Sequence, residues 1–461
     1  MFIIIASFIF IALLISTFFN PFIGLIGFTV SLYLKFAAYN PLLYYFHITR
    51  LLGIIILIVI LVKGRNRKIH FFDSRQSKWL LMLFSLMIFT IFTSIWRGNT
   101  VDFLGDFLKI VIAYFLVVNI VDSPQRLRLI IWTMVLSMLY CVLVSIKAYY
   151  ASGAIYEGGR MFGGFSGALF GDPNDMAMGM IILIPFLYFD LFGKKGFVLK
   201  ISEILIIAVF LWGIVLTQSR GGFLGFGVML ACLWLKSKRK VLIFLLGIFV
   251  CIGLWQASPQ AFKDRMMTIE TAKEQDGSAI IRLNAWQAGL NMMTHHLFGV
   301  GAGNFREGFV RYRPLCLIDF PWKRRVAHNM FVEVGGEMGF PGLIIFLTLI
   351  FSSLKAFYGI KKKIIGNTSL LSDQAHEIIV FSDAGFISLV SYCSAGMFLS
   401  QNYNFILYYL IAFSVVLERL ATGYFEKLRE AETSAPQKKK EKEWKSKAVS
   451  GQLADRKMED G

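Results

Sequence analysis

Apolar residues fall along this chain in runs of about 20, separated by short polar turns, from residue 2 to residue 421. A run of that length crosses a bilayer core of roughly 30 Å as a helix. The pattern places spans near 2–19, 22–38, 48–63, 77–96, 102–121, 127–148, 175–193, 198–217, 221–236, 240–256, 329–356, 378–399 and 403–421. Leu, Ile and Phe dominate them, as insertion energetics favour. Asn20-Pro21 and Asn40-Pro41 break the first two runs, and one of these is compatible with a re-entrant segment. The expected fold class is therefore all-α, a polytopic transmembrane helical bundle of 12–13 spans. The run from Phe2 to Phe19 lacks a basic leader and an obvious cleavage site, so it reads as a retained span.

Composition agrees. Of 461 residues, 56% are hydrophobic and only 16% charged, which excludes a soluble protein of this size. The net charge of +18 does not point to nucleic acid, because Lys and Arg cluster in short linkers between spans. Lys63 to Lys68, Arg126 to Arg128, Lys194-Lys195, Lys236 to Lys240 and Lys361-Lys362-Lys363 are such linkers. Placing them in the cytoplasm gives an alternating topology from the third span onward. The segments around Arg97, 149–174, 257–327 and Ser400 to Asn404 then face outside. From Glu426 the chain is rich in Lys and Glu and reads as a disordered cytoplasmic tail. Its Lys438-Lys439-Lys440 run admits either a solvated tail or a contact with anionic lipid. The expected organisation is helices over 1–256, a large outer loop over 257–327, helices over 328–422 and the tail over 423–461.

The outer loop carries ten Lys/Arg against six Asp/Glu, an excess of four positive charges on the side the orientation bias disfavours. An anionic ligand accounts for that excess, as does a merely soluble loop. Ile280, Ile281, Leu283, Trp286, Leu290 and Met293 recur at helical spacing, so 279–293 is expected to form an amphipathic helix. Gly299-Val300-Gly301-Ala302-Gly303-Asn304 then turns the chain. Of five cysteines only Cys316 lies in this loop, so the loop cannot close a disulfide on its own.

Four features carry candidate chemistry. His328 stands where the outer loop re-enters a span, and reads either as a helix-capping residue or as a general base. An imidazole is largely neutral at pH 7 and can take a proton from a hydroxyl. Glu333 and Glu337 follow; helical periodicity turns Glu337 away from His328, towards another helix. Ser219-Arg220-Gly221-Gly222 opens a span on the outer side. Arg220 is there either an interface anchor or a phosphate clamp, with small glycines allowing close backbone approach. Arg282 lies before Trp286 on the loop helix, on a solvated basic face or facing a ligand. Arg265, Arg306, Arg311 and Arg313 are poorer candidates, and Lys323-Arg324-Arg325 either attracts anionic headgroups or bounds the membrane. Finally, Asp172-Pro173-Asn174-Asp175 has the composition of a helix N-cap, with sugar-hydroxyl binding as the alternative. The outer segments offer no second compact carboxylate cluster and no Cys/His group at zinc-ligand spacing, so no metal site is expected. Asp106 and Lys109 are spaced to pair on one helix face, whereas Asp190, Glu203 and Asp383 look isolated within spans.

These segments, in this order, resemble the O-antigen ligase and polymerase superfamily of bacterial glycan-assembly membrane proteins. His328-Asn329 with Glu337, Gly339 and Gly342 is similar to the family's signature after its large periplasmic loop. Ser219-Arg220-Gly221-Gly222 is similar to its arginine-glycine motif. Arg282 with Trp286, then Leu297 to Phe305, resembles the loop segment before the histidine, with His296 where proline is common. The Asp172 to Asp175 run resembles a loop often seen in the family. Asn20-Pro21-Phe22-Ile23-Gly24 and Asn40-Pro41 resemble a subgroup linked to exopolysaccharide loci.

The resemblance implies a membrane glycosyltransferase-type helical fold in the bacterial inner membrane, with its site facing the periplasm. It implies transfer of a glycan from undecaprenyl pyrophosphate to an acceptor hydroxyl, on lipid A-core, a growing glycan or a protein, with no metal and no cofactor. His328 would activate the hydroxyl, and Arg220 and Arg282 would hold the pyrophosphate. Glu337, Asn329, Asp172, Asp175 and Arg160 are supporting candidates. The competing class is a polysaccharide or lipid-linked glycan transporter or flippase without covalent chemistry. Such a protein would need intramembrane charges, and usually internal symmetry, which the sequence lacks.

Overall fold

The computed structural model describes residues 2–34, 48–63, 70, 72–152, 159–163, 170–193, 195–237, 240–260, 262–263, 277–314, 324–367 and 372–428. Arg265, Cys316, Lys323, Asn40-Pro41 and the tail beyond residue 428 lie outside them. The described elements are helical throughout. In chain order they are α1 (Phe2–Phe19), α2 (Pro21–Tyr33), α3 (Ile48–Lys63), α4 (Arg75–Thr93), α5 (Arg97–Ile120) and α6 (Pro124–Ser152). Next come α7 (Pro173–Ile181), α8 (Ile184–Asp190), α9 (Phe197–Thr217), α10 (Arg220–Lys236) and α11 (Lys240–Ala257). The last are α12 (Gly277–His295), α13 (Phe305–Tyr312), α14 (Met330–Asn367), α15 (Asp373–Gly396) and α16 (Phe405–Leu428).

Each expected apolar span coincides with helix. Among the described residues, eight helices are long and apolar enough to cross a membrane: α4, α5, α6, α9, α11, α14, α15 and α16. The protein is an all-α, multi-pass membrane protein. The remaining apolar segments are shorter. The expected span over 175–193 is broken into α7 and α8, with Pro185 at the start of the second. α15 and α16 lie at the centre, largely buried, while α11 has no buried residue and stands at the edge.

Two ends of the bundle differ in how they treat charge. At the end where α6, α9 and α15 begin, carboxylates and cations neutralise each other. Asp190 meets Lys195 at 2.7 Å and Arg128 at 3.5 Å, Arg128 also meets Glu377 at 3.1 Å, and Lys195 closes on Glu203. Asp383 is held by Lys236 and, at 3.2 Å, by Lys361. Asp190, Glu203 and Asp383 are therefore not isolated. Their partners sit on other helices or beyond helix ends, a proximity that spacing along one helix does not reveal.

The opposite end is organised by a break in α14. Gly339 adopts φ 67° and ψ −168°, outside helical geometry, and Pro341 follows it. The glycine turn before α13 packs its backbone into this break. The N–H groups of Val300 and Gly301 donate to the carbonyls of Gly336 and Glu337, at 3.0 and 2.9 Å. A Cβ on Gly339 would overlap the Leu297 carbonyl, and one on Gly299, itself at φ 70°, would overlap the Glu337 backbone. Gly339→Ala should therefore cost on the order of 3 kcal/mol or more, from a backbone region open only to glycine plus the backbone clash. Gly359, on the same helix with open space beside it, is the control. Gly359→Ala should be neutral or stabilising by about 0.5–1 kcal/mol. Thermal midpoints of the detergent-solubilised variants compare the two.

Candidate functional site

The site is built on that docked turn. Asn304 stands at its end, just before α13, and spends its side chain on a different helix pair. Its Nδ2 donates to Ser94 Oγ at 2.7 Å and to Thr100 Oγ1 at 2.8 Å, while Asn99 Nδ2 donates to the Gly303 carbonyl at 2.8 Å. The Ile95 N–H donates to the Val300 carbonyl at 3.0 Å. The turn thus joins the α4–α5 corner to α14. Glu337 completes the joint: its Oε1 accepts the Phe305 N–H at 3.2 Å and its Oε2 accepts the Tyr403 hydroxyl at 2.6 Å.

α12 runs along the first part of α14. Gly289 faces Val332, Gly335 faces Met293, and Gly336 faces Phe305 and Met292, each too closely for a side chain. The helix forms where expected, but its buried face is Ala285, Ala288, Met292 and Met293. Ile280, Leu283 and Leu290 are exposed. Close helix packing selected small residues for the interface, so the bulky apolar ones point away. Trp286 Nε1 donates to the Ala327 carbonyl at 3.1 Å, which anchors the chain immediately before His328.

His328 is not helical. It has φ 47°, in the left-handed region, and its N–H donates to Ser400 Oγ at 3.0 Å. Asn329 caps α14 instead, its Oδ1 accepting the N–H groups of Phe331 and Val332 at 3.0 and 3.2 Å. The imidazole faces a cavity of about 460 Å³. Asp172, Asp175, Arg306, Glu333, Glu337 and Tyr403 line the same cavity. Glu337 therefore does not face away from His328. Counting 3.6 residues per turn from His328 fails because the helix begins only after it.

Burial is the largest influence on His328 and lowers its pKa below the ordinary 6.5. The positive field of Arg282 lowers it further, Asp172 opposes, and Arg325 and Arg306 add to the lowering. That field places Arg282, one helical turn before Trp286, within electrostatic reach of the imidazole. It also identifies Arg306 and Arg325 as neighbours. Arg306, ranked low from spacing, lines the cavity from the first turn of α13, directly after the glycine turn that was itself legible. Arg324 instead pairs with Glu307 at 2.7 Å, and Arg311 lies over the Tyr312 ring.

Arg220 begins α10, and neither it nor Ser219, Gly221 or Gly222 is among the lining residues; Ser219 reaches the wall only through Asn174. Ser219 caps the helix, accepting the Gly222 N–H at 2.9 Å, and its hydroxyl donates to Asn174 Oδ1 at 2.7 Å. Gly221 abuts Phe398 and Gly222 abuts Ala177. The two glycines therefore serve helix packing. Arg160 donates to the same Asn174 oxygen at 2.9 Å and to the Thr217 carbonyl at 3.0 Å, tying that loop to the end of α9. Asp172 caps α7, accepting the Asn174 N–H at 2.7 Å, and faces the cavity as well. The capping reading of this run holds, and Asp172, Asn174 and Asp175 also line the cavity.

One further carboxylate lines the cavity. Glu333 is buried, and its Oε2 has no hydrogen-bond partner among the described residues. His296, where the family pattern often has proline, ends α12 by bonding Nε2 to the Tyr312 hydroxyl at 2.5 Å. Among the described residues, no group of three or more His, Cys, Asp or Glu has the arrangement of a metal site.

Residues 205–347 match the family model described as O-antigen ligase. The match supports the O-antigen ligase and polymerase superfamily that the motifs resemble. No match was found among curated proteins. The matched segment runs from within α9 into α14 and holds Arg220, Arg282, His328 and Glu337; Arg160, Asp172 and Asp175 precede it. Members of this family are glycosyltransferase-like ligases and polymerases, and the family implies lipid-linked glycan substrates. The joint between the matched segment and the last helix is open to test at Tyr403. Tyr403→Phe keeps the ring against Phe103 and Phe107 but leaves the buried Glu337 Oε2 without its donor. It should lower stability by about 1–3 kcal/mol, read as a fall in thermal midpoint.

Proposed function

We propose that this protein transfers a glycan from an undecaprenyl pyrophosphate carrier to an acceptor hydroxyl, at the periplasmic face of the bacterial inner membrane. The observation that carries the proposal is His328 on a cavity lined by Arg306 and by carboxylates, with Arg282 within electrostatic reach of the imidazole. Arg282 and His328 are 46 residues apart in sequence, one on a loop helix and the other at the start of a span, and both lie inside the matched segment.

In this reading the acceptor oxygen attacks the anomeric carbon as His328 takes its proton. The bond from that carbon to the diphosphate breaks, and the electron pair leaves on the phosphate oxygen. Arg282 and Arg220 offset the negative charge that develops there. Their guanidinium groups fill the role for which other glycosyltransferases use a divalent cation. The lowered pKa of His328 keeps the imidazole neutral and able to accept a proton. The orphan oxygen of Glu333 and the carboxylates of Asp172 and Asp175 are suited to accept hydrogen bonds from sugar hydroxyls.

His328→Ala should lower transfer by at least about 100-fold while the protein still inserts. Arg282→Ala should cost about as much, and Arg282→Lys should restore only part of the loss, because a lysine keeps charge without the bidentate fork. Purified protein incubated with lipid-linked glycan and each acceptor class in turn reads these out. Normal transfer by His328→Ala at normal protein level would remove the assigned base. The pH profile is a separate check. Because the pKa of His328 is lowered, activity should persist as pH falls through the ordinary imidazole value of 6.5 and decline only below it. Neutralising the nearest positive field, in Arg282→Gln, should move that acid limb upward in pH, measured on the residual activity.

A further inference from the structure

A second cavity, of about 430 Å³, opens on the side of the bundle between α2, α3 and α5. It lies at the same end as His328, because the start of α5 borders both cavities: Phe103 faces the first, and Val101 and Asp102 face the second. Its walls are apolar, with Phe28, Leu32, Ile54 and Leu108 among them. Four charged residues line it as well: Arg50, Asp102, Asp106 and Lys109.

Their arrangement is unlike the closed ion pairs at the other end of the bundle. Lys109 pairs with Asp106 one turn away, as the spacing predicted. Arg50 approaches the same carboxylate at 3.9 Å, too far for a hydrogen bond, and is about half exposed. Asp102 has neither hydrogen bond nor ion pair among the described residues, and it lies four residues before Asp106 on the same helix face. Two carboxylates in that relation repel. The groove therefore holds an under-used guanidinium and an unpaired carboxylate, with no net charge overall.

A short neighbouring helix brings this charge to headgroup level. α2, capped at both ends, has 13 residues, or about 20 Å at 1.5 Å per residue. It falls short of a hydrocarbon core of roughly 30 Å. Next to a short helix the bilayer thins or polar groups reach inward, and charges on a span mark a functional site.

We propose that this groove binds a zwitterionic phospholipid of the phosphoethanolamine class. The phosphate lies against Arg50 and Lys109, the ammonium against Asp102, and the upper acyl chains against Phe28, Leu32, Ile54 and Leu108. Charge complementarity selects this occupant. An anionic headgroup would meet Asp102 with nothing to neutralise it. The site is separate from the His328 cavity and does not rest on the function proposed for that cavity.

Full-length protein, delipidated in detergent, is offered equal amounts of phosphatidylethanolamine and phosphatidylglycerol, and retained lipid is counted by native mass spectrometry. The wild type should retain the ethanolamine lipid severalfold over the glycerol lipid. Arg50→Gln should abolish that retention, and Asp102→Asn should shift preference towards phosphatidylglycerol. Water-soluble glycerophosphoethanolamine should not compete, since the acyl chains contribute to binding; competition by it would assign the site to a free headgroup and overturn the lipid proposal. Equal retention of both lipids by the wild type, or an unchanged ratio in both variants, would also overturn it. If Arg50→Gln fails to fold, Asp102→Asn, at an exposed helix position, decides alone.

Discussion

Everything at the His328 end depends on a backbone meeting a backbone. α14 breaks at Gly339, and the turn before α13 seats its own amides on the carbonyls exposed there. This contact is short because neither partner has a side chain at the closest points. It fixes three things that are far apart in sequence: the start of α13 with Arg306, the corner between α4 and α5, and the first part of α14 with Glu333 and Glu337.

Glu337 shows how the same contact organises charge. A carboxylate buried among helices is costly unless hydrogen-bonded. Here it accepts from the first turn of α13 and from Tyr403 ahead of α16, so two elements that never touch in sequence are held through one side chain. Glu333, one turn earlier, has no such use for its Oε2. The two glutamates differ in role because one has been recruited to hold the frame and the other has been left facing the space the frame encloses.

The fold was legible because hydrophobic run length is a local property, and each run became a helix. The site was legible where a motif encoded a backbone event: Ser219 and Asp172 as caps, the glycine run as a turn, Trp286 near Arg282. It was less legible where position had to be inferred by counting along a helix. Glu337 holds another element, as the periodicity implies, yet shares the His328 cavity because His328 lies in left-handed geometry before the helix begins. Helical spacing predicts α12 but not which residues it buries: it packs closely on α14 through Ala285, Ala288, Gly289, Met292 and Met293, and Leu283 and Leu290 point away. Arg306 and the ion pairs of Asp190, Glu203 and Asp383 needed tertiary proximity, which no single segment contains.

The contrast between the two ends is itself an argument about function. A bundle that only had to be stable would neutralise its charges everywhere, as this one does around Asp190 and Asp383. Around His328 charges of both signs line one cavity, Arg306 with Asp172, Asp175, Glu333 and Glu337. Arg282, Arg306 and Arg325 all raise the positive potential at an imidazole that burial already disfavours charging. An anion entering the cavity would draw the histidine's pKa back up, making the imidazole a stronger base once the anion is in place.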